Sequence, residues 1–238
     1  ELEQKIREDL ENGMKPCAVV ATLGTTGTVA VDPLKEISGI CKKYGVWLHV
    51  DAAFAGTALL LPEYRWMIEG IEQADTFVFN PHKWMFTNFD CSVYLVRDAG
   101  TLIRTFEILP EYLKTKTRGA VNDYRDWGIQ LGRRFRALKL WFVLRAYGLD
   151  GLRARIRNHV AWAEELAGEI ARIDGLEPLD IQARDLTARV DRVRVLTAPP
   201  AEDEEEAPPP SIEAAQGFIA AIQELIDLGR ELIAQEGL

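Results

Sequence analysis

Cysteines, basic clusters and long apolar runs are scarce or missing in this sequence, and each shortage excludes a class of protein. The three cysteines, Cys17, Cys41 and Cys91, have neither CxxC nor zinc-ligand spacing, which predicts reduced structural thiols in a cytosolic compartment. No run of about 18 apolar residues is present, so we expect no membrane-spanning helix. No signal peptide is apparent either. The net charge of −9, without basic stretches interleaved with aromatics, argues against nucleic-acid binding.

The remaining composition is typical of a soluble, cytoplasmic protein with a small-molecule or protein partner. Its 238 residues, 47% of them hydrophobic, suffice for one large core or for a core with a smaller lobe. The sequence begins at Glu1, without methionine, in the segment ELEQKIREDLENG, which is typical of a helix already under way. We therefore expect that an upstream part of the protein is missing.

Apolar runs and helical patterns alternate in the first part of the chain. Runs rich in β-branched residues, such as CAVVATLG, are typical of strands that are covered on both faces. Asp32 is expected to cap a helix that has Pro33 at its first position and ends at Gly45. This alternation predicts an α/β fold with a parallel or mixed sheet and helices on both faces. The predicted strands are 17–24, 46–54, 76–80 and 92–97, and the predicted helices are 2–12 and 33–44.

The pattern lapses after the fourth predicted strand. Residues 107–130 mix charge, glycine and aromatics without a period, which is typical of a functional lid or of a disordered segment. Two helices follow, and the first is expected to end at Gly148. An acidic, proline-rich stretch then predicts a disordered linker. The predicted elements are helices 133–148 and 152–173, a strand at 189–196, the linker 198–211 and a terminal amphipathic helix within 212–238.

Polar residues follow three of the predicted strands at their carboxyl ends, where open α/β sheets bind ligands. The turn GTTGT at 24–28 follows the first strand, Asp51 ends the second, and Asn80, His82 and Lys83 follow the third. We therefore expect a carboxylate, a lysine and a turn rich in hydroxyl groups to meet at one edge of the sheet.

Each of these features has an ordinary structural interpretation and a functional one. Asp51 would form a salt bridge or a helix cap, or it would hold a protonated ring nitrogen above the small residues Ala52, Ala53 and Gly56. Lys83 would be solvated like most lysines, or it would be a partly desolvated amine nucleophile with a lowered pKa.

The remaining two features are equally open when each is taken alone. His82 would be a satisfied buried histidine, or it would contact a phosphate or a substrate. The turn GTTGT would be an ordinary turn or a phosphate cradle. Taken together, the amine, the carboxylate and the phosphate donors predict a site for pyridoxal 5′-phosphate (PLP).

Five segments make the sequence resemble the PLP-dependent group II decarboxylases, and among them the aromatic L-amino acid decarboxylases. The resemblance extends over residues 17–165, and the pair formed by DAAFAG and NPHKW is its most specific part. It implies a fold type I PLP-dependent transferase-like large domain, followed by a helical, divergent C-terminal segment. The segments are VVATLGTTGTVAVDPL, WLHVDAAFAG, FNPHKW, NFDCS and GIQLGRRFRALKLWFVLRAYG.

The resemblance assigns the cofactor residues by position. Lys83 matches the lysine that carries PLP, and Asp51 matches the aspartate that pairs with the ring nitrogen and keeps it protonated. Ala53 matches the small residue under the ring, and Thr26 matches a threonine near the cofactor. Together with Asn80, these residues form the implied PLP-binding set.

The resemblance also assigns the residues on the substrate side. His82 matches a residue that lines the phosphate and the substrate, and Tyr112 matches a loop tyrosine that protonates the substrate carbon after CO₂ leaves. Leu131 and Gly132 match positions that shape the substrate pocket of their own or of a neighbouring subunit, and Gly132 suits a large side chain. No metal is implied.

The implied activity is decarboxylation of an aromatic L-amino acid by a cytoplasmic homodimer, of which this chain lacks the N-terminal half. The implied domains are the end of the PLP-binding domain at 1–150 and the start of a small domain at 151–197. After about residue 175 the chain departs from the family, which puts independent activity in doubt. Two alternatives stay open: an aldehyde synthase or other PLP lyase on the same fold, and a truncated chain that only binds a partner.

Overall fold

The computed structural model of the protein describes residues 1–107 and 124–173 together with the strand Arg194–Ala198. Within these ranges, every helix is too short or too polar to span a membrane. The helices are α1 Leu2–Glu11, α2 Leu34–Tyr44, α3 Pro81–Trp84, α4 Ala99–Phe106 and α5 Arg136–Ile170. The strands are β1 Lys15–Thr22, β2 Trp47–Asp51, β3 Thr76–Phe79, β4 Val93–Val96 and β5 Arg194–Ala198, and 3₁₀ segments lie at Ala55–Leu60, Pro62–Ile68, Ile71–Gln73 and Tyr124–Trp127.

The described strands form one five-stranded sheet in the order β4-β3-β2-β1-β5. Its centre is parallel: Thr22 of β1 pairs with Asp51 of β2, and Asp51 pairs with Val78 of β3. The two outer strands, β4 and β5, run antiparallel to their neighbours. The predicted α/β fold is therefore confirmed, with a mixed sheet whose three central strands are parallel and have their carboxyl ends at one edge.

One face of the sheet packs on α1 and α2 and forms the core. Alternate residues of β1 and β2 point into this core because side chains on a strand alternate between the two faces. Apolar burial of this kind is the main favourable contribution to folding. The fully or almost fully buried members are Ile6, Val19, Ala21, Leu34, Ile37, Cys41, Leu48 and Val50.

The other face carries polar and aromatic side chains from the intervening positions. Thr76 Oγ1 accepts the Trp47 indole N–H at 3.2 Å and lies 2.8 Å from Nδ1 of His49. The ring of Tyr94 stacks on His49 with centroids 6.2 Å apart. Because Asp51 and His49 are two residues apart on one strand, the Asp51 carboxylate lies on this polar face.

The predicted cap at Asp32 is wrong. Helix α2 begins at Leu34 with Pro33 as its N-cap and has no side-chain cap, whereas Asp32 is buried and its Oδ2 accepts the Thr22 N–H at 2.7 Å. The carboxylate therefore fastens the end of β1 to the chain that enters α2. Gly45 ends this helix in the left-handed conformation, as the sequence predicts.

The C-terminal elements differ from the predicted bounds. The helices predicted at 133–148 and 152–173 lie within α5, which is interrupted at Gly148, where φ is 62° and ψ is 175°. The strand predicted at 189–196 lies at Arg194–Ala198. The domain boundaries stay predictions, and most of the linker and all of the terminal helix fall outside the described residues.

Gly56 is packed too closely to accept a side chain. A Cβ atom built on it would lie 2.4 Å from Cβ of Phe79 and 3.2 Å from Cβ of Ala52. The Gly56 N–H donates to the Ala52 carbonyl oxygen at 2.8 Å, and this hydrogen bond holds the backbone of Gly56 in place. Glycine at this position therefore lets the segment after β2 lie directly against β3.

We expect Gly56→Ala to lower the free energy of unfolding by about 1–3 kcal/mol, because Phe79 or the backbone must shift to admit the methyl group. Gly39→Ala is the matched control, since Gly39 lies exposed in α2 and a Cβ built on it meets no atom within 4 Å. The control should be neutral or stabilising by up to about 1 kcal/mol. Urea unfolding of both variants measures the difference, and equal midpoints would contradict the close packing.

Candidate active site

Backbone hydrogen bonds join the three strand ends that the sequence singled out. The Leu23 N–H donates to the Asp51 carbonyl oxygen at 2.8 Å, which brings the turn after β1 beside the end of β2. The Asn80 N–H donates to the Ala53 carbonyl oxygen at 3.0 Å, which brings the segment before α3 beside the same point. The predicted convergence of the turn, the carboxylate and the lysine segment is therefore found in the fold.

Asp51 is half-buried at the last position of β2. Its Oδ1 accepts the Ala53 N–H at 2.9 Å, and among the described residues Oδ2 accepts no hydrogen bond. Burial lowers the pKa of nearby His49, and the negative charge of Asp51 opposes that shift. One oxygen thus orients the carboxylate, and the other is left to bind a cationic group on the polar face.

The small residues after Asp51 do not all leave space, and this corrects the expectation from the sequence. Ala52 is fully buried, and the volume beside Gly56 is filled by Phe79. Of these three small residues, only Ala53 is half-buried at the edge of the sheet. Of the three small residues expected beside a flat ring, Ala53 is therefore the one that a ligand next to Asp51 can reach.

His82 is held through one ring nitrogen. The Cys91 N–H donates to Nδ1 of His82 at 3.0 Å, and Nδ1 also lies 2.7 Å from the Cys91 carbonyl oxygen. The ring packs against the edge of Phe89 with centroids 4.9 Å apart. Because the Cys91 backbone engages Nδ1, Nε2 is the nitrogen that remains to contact a ligand.

Lys83 lies on the single turn of α3, and Asn80 is the N-cap of that helix. Lys83 is exposed, so the partial desolvation expected from the sequence is not found among the described residues. Its N–H donates to the Asn80 carbonyl oxygen at 2.9 Å. The side-chain Oδ1 of Asn80 is buried without a hydrogen-bond partner among these residues. A buried acceptor of this kind lacks a donor, which a ligand can supply.

The turn after β1 is organised by Thr25 rather than by Thr26. Thr25 Oγ1 lies 2.7 Å from Thr28 Oγ1 and accepts the Ala30 N–H at 3.0 Å. Gly24 has φ of 77°, and a Cβ there would lie 2.8 Å from Cβ of Ala55. Thr26 is exposed at the tip of the turn. Thr26 is therefore the exposed threonine of this turn, whereas Thr25 and Thr28 are half-buried.

Leu131 and Gly132 lie in an exposed segment before α5, and the structure does not bring them to the strand ends. Leu131 is 69% exposed, and no atom lies within 4 Å of a Cβ built on Gly132. The following residues are tied to the loop after α3, because Arg134 and Arg136 form salt bridges with Asp90 at 3.2 and 3.1 Å. Tyr112 lies outside the described residues.

Sequence reasoning missed several residues that hold this site in place. Cys91 fixes His82, Thr25 fixes the turn, and Trp84 stacks on Phe54 with centroids 5.0 Å apart and planes 6° apart. Cys91 and Trp84 stand inside NFDCS and NPHKW, so the motifs gave their positions. Their partners are distant in sequence or use backbone atoms, and no spacing rule predicts such contacts.

Comparison with known proteins gives one family. The model of the pyridoxal-dependent decarboxylase conserved domain matches residues 1–179. An aromatic-L-amino-acid decarboxylase from Drosophila lebanonensis is 51% identical over 166 residues, which cover 70% of this chain and 41% of that protein.

Two solved structures are similar to the fold. The crystal structure of an Oryza sativa TDC with PLP and tryptamine has a TM-score of 0.70 and 40% identity, and covers 72% of this chain and 35% of that one. The 4-hydroxyphenylacetaldehyde synthase of Rhodiola rosea has a TM-score of 0.66 and 36% identity, and covers 73% and 35%.

These proteins are much longer than the chain that matches them. The chain spans 41% of the Drosophila protein and 35% of each of the two solved chains. The family model nevertheless matches well over half of the chain, including Asp51 at the end of β2 and Lys83 on α3. On that match, the chain belongs to the family of the pyridoxal-dependent decarboxylase conserved domain.

Proposed function

We propose that this chain carries the cofactor-binding lysine and aspartate of a PLP-dependent decarboxylase that converts an aromatic L-amino acid into the amine and CO₂. The observation that carries the proposal is the hydrogen bond from the Asn80 N–H to the Ala53 carbonyl oxygen, which joins the segments of Lys83 and Asp51. Family membership and the similarity to decarboxylases of aromatic amino acids support it.

The residues at the strand ends fit PLP in chemical character. Asp51 offers an uncommitted carboxylate oxygen to the ring nitrogen, and Lys83 offers an amine to the aldehyde. Ala53 gives the ring a small neighbour, and the Asn80 N–H, which donates to the Ala53 carbonyl oxygen, keeps Asn80 beside it. When bound, PLP supplies an electron sink for breaking the bond to the substrate carboxylate.

The remaining site residues act by binding and orienting. Thr26, which is exposed in the turn after β1, would donate its hydroxyl group to the phosphate, and His82 would present Nε2 on the substrate side because Nδ1 is engaged by Cys91. Leu131 and Gly132 shape the substrate pocket, from a neighbouring subunit of a homodimer. Tyr112 returns a proton to the substrate carbon.

A homodimer in the cytoplasm is the proposed setting. Exposed aromatic rings on α5 support association, since Trp141 is 44% exposed and Phe142 is 57% exposed on one helix. Cys41 and Cys91 are buried free thiols, which supports a reducing compartment. The chain spans only about a third of the similar structures, so catalysis is proposed for the longer protein that supplies the rest of the site.

In the longer protein, we expect Lys83→Ala to abolish both the attachment of PLP and decarboxylation, because alanine offers no amine. Lys42→Ala is the control, since Lys42 is an exposed lysine in the last turn of α2. Borohydride reduction with peptide mapping locates the cofactor, and labelled CO₂ from tryptophan, tyrosine and dihydroxyphenylalanine measures turnover. Cofactor on another lysine would contradict the assignment, and no attachment in the unaltered chain would favour a partner-binding role.

Asp51→Asn should weaken PLP binding by about 2–5 kcal/mol and slow turnover strongly, because the ring nitrogen loses its anionic partner. Asp75→Asn is the matched control: Asp75 is also a half-buried carboxylate, but it accepts the Leu48 N–H at 2.7 Å before β3 starts. A titration with PLP compares the two variants. Equal affinities of the Asp51→Asn and Asp75→Asn variants would mean that Asp51 is only structural.

An aldehyde synthase is the second candidate, favoured by the similarity to the Rhodiola rosea enzyme. In the family that this sequence resembles, aldehyde synthases typically have phenylalanine at the loop position where decarboxylases have tyrosine. Tyr112 therefore supports decarboxylation. The two reactions give different products from the same substrate: amine and CO₂, or aldehyde, CO₂, ammonia and peroxide with oxygen consumed.

We expect Tyr112→Phe to lower amine formation and to raise aldehyde, ammonia and peroxide, because the positioned acid for the substrate carbon is lost. Tyr64→Phe is the control for loss of a hydroxyl group elsewhere. Chromatography of products and an oxygen electrode measure the ratio. Amine at the normal rate without aldehyde would remove Tyr112 from the proton-transfer step.

A further inference from the structure

Trp84, the residue directly after Lys83, is hydrogen-bonded to a histidine far along the chain. Its indole N–H donates to Nδ1 of His159 on α5 at 3.0 Å. An indole N–H is only a donor, so Nδ1 of His159 carries no proton and the imidazole proton lies on Nε2. The contact thus joins the last residue of α3 to a half-buried ring on the long helix.

A face of the Trp84 ring packs on the segment that follows Asp51. The rings of Phe54 and Trp84 are stacked, with centroids 5.0 Å apart and planes 6° apart. Phe54 lies three residues after Asp51 in the sequence. Trp84 is therefore held between α5 and the loop after β2, and it connects both proposed cofactor residues to α5.

His159 also supports the turn that follows α3. Phe86 has φ of 55°, a left-handed conformation that is strained for a bulky side chain. Its ring packs on His159 with centroids 5.5 Å apart and on Tyr147 at 5.8 Å. Surrounding contacts must hold a strained residue in place, and both of these ring contacts of Phe86 come from α5.

Helix α3 needs such support because it is a single turn of four residues, and its N-cap Asn80 makes no side-chain cap. A helix this short is not stable through its own hydrogen bonds. The direction in which Lys83 leaves α3 is then set by whatever holds the neighbouring residues. His82, the neighbour on one side, is held by the Cys91 backbone, and Trp84, the neighbour on the other side, is held by Phe54 and His159.

We propose that His159 is a positioning residue for Lys83: by accepting the Trp84 indole N–H at Nδ1, it fixes the orientation of α3 and of the lysine on it. His159 acts through Trp84, and its described side-chain contacts are with Trp84, Phe86 and Trp162 rather than with Lys83. The functional consequence rests on the proposed function, in which Lys83 carries PLP, but the effect on α3 does not.

Two amide substitutions of His159 separate this role from mere packing. Asparagine carries its acceptor oxygen at the δ position, as Nδ1 does, whereas glutamine carries it at the ε position. His159→Asn should therefore keep the bond to Trp84, and His159→Gln should lose it, although both remove the ring. Trp84→Phe removes the donor of the same hydrogen bond. The indole N–H signal that disappears in this variant is thereby assigned to Trp84.

Amide hydrogen exchange by NMR on the 238-residue chain gives the structural readout. The signals to follow are the Trp84 indole N–H and the Lys83 backbone N–H, which donates to Asn80. We expect His159→Gln and Trp84→Phe to speed exchange at Lys83 about threefold to tenfold, the range that one net hydrogen bond gives. His159→Asn should stay close to the unaltered chain.

The rate at which added PLP attaches to Lys83, trapped by borohydride, gives the functional readout. It should fall in His159→Gln by a similar factor and recover in His159→Asn. Equal exchange at Lys83 in the two amide variants would overturn the proposal, as would slower attachment without faster exchange. If PLP attaches to no lysine even in the unaltered chain, the proposed function fails, while the exchange rates still decide the role of His159.

Discussion

The register of the three parallel strands determines where every candidate cofactor residue lies. Asp51 pairs with Thr22 on one side and with Val78 on the other, so the carboxyl ends of β1, β2 and β3 are level. Val50, the residue before Asp51, is completely buried in the core. A slip of one residue would exchange the two faces and place the carboxylate among apolar side chains. Burial of the core therefore fixes the orientation of Asp51.

The loops at this edge depend on the same register but are held by different means. The turn after β1 is closed by its own hydroxyl and backbone groups around Thr25, and the segment after β2 lies flat on β3 because Gly56 has no side chain. Helix α3 has neither support, since it is one turn long. It depends on contacts from outside, namely those of His82 with the Cys91 backbone, the stacking of Trp84 on Phe54, and the hydrogen bond of Trp84 to His159 on α5. The residue proposed to carry the cofactor is thus on the least self-sufficient element.

Elements that depend on local sequence patterns were predicted correctly. Predictions were wrong where the contacts of a residue are with a partner distant in the sequence. β1 to β4, α1 and α2 follow from apolar runs bounded by glycine and proline, and the break at Gly148 follows from one residue. Asp32 was expected to cap a helix because its spacing to Pro33 is right, yet the Thr22 N–H is the donor it meets. Gly56 was expected to leave space, but Phe79 fills it. Neither partner can be read from local spacing.

Lys83 is exposed, and this bears on two requirements of a PLP-dependent decarboxylase: attachment of the cofactor and exclusion of water. Forming a bond to an aldehyde needs an amine beside a site that holds the ring, and we propose the edge with Asp51, Ala53 and Asn80 as that site. Decarboxylation also needs exclusion of water, because fixed charges and dipoles act strongly only in a site of low dielectric. The described residues leave Lys83, Thr26 and Leu131 exposed, so they provide the reactive groups without the enclosure. Under the proposed function, cofactor attachment therefore needs only the residues at this edge, whereas turnover also needs residues that cover its open side.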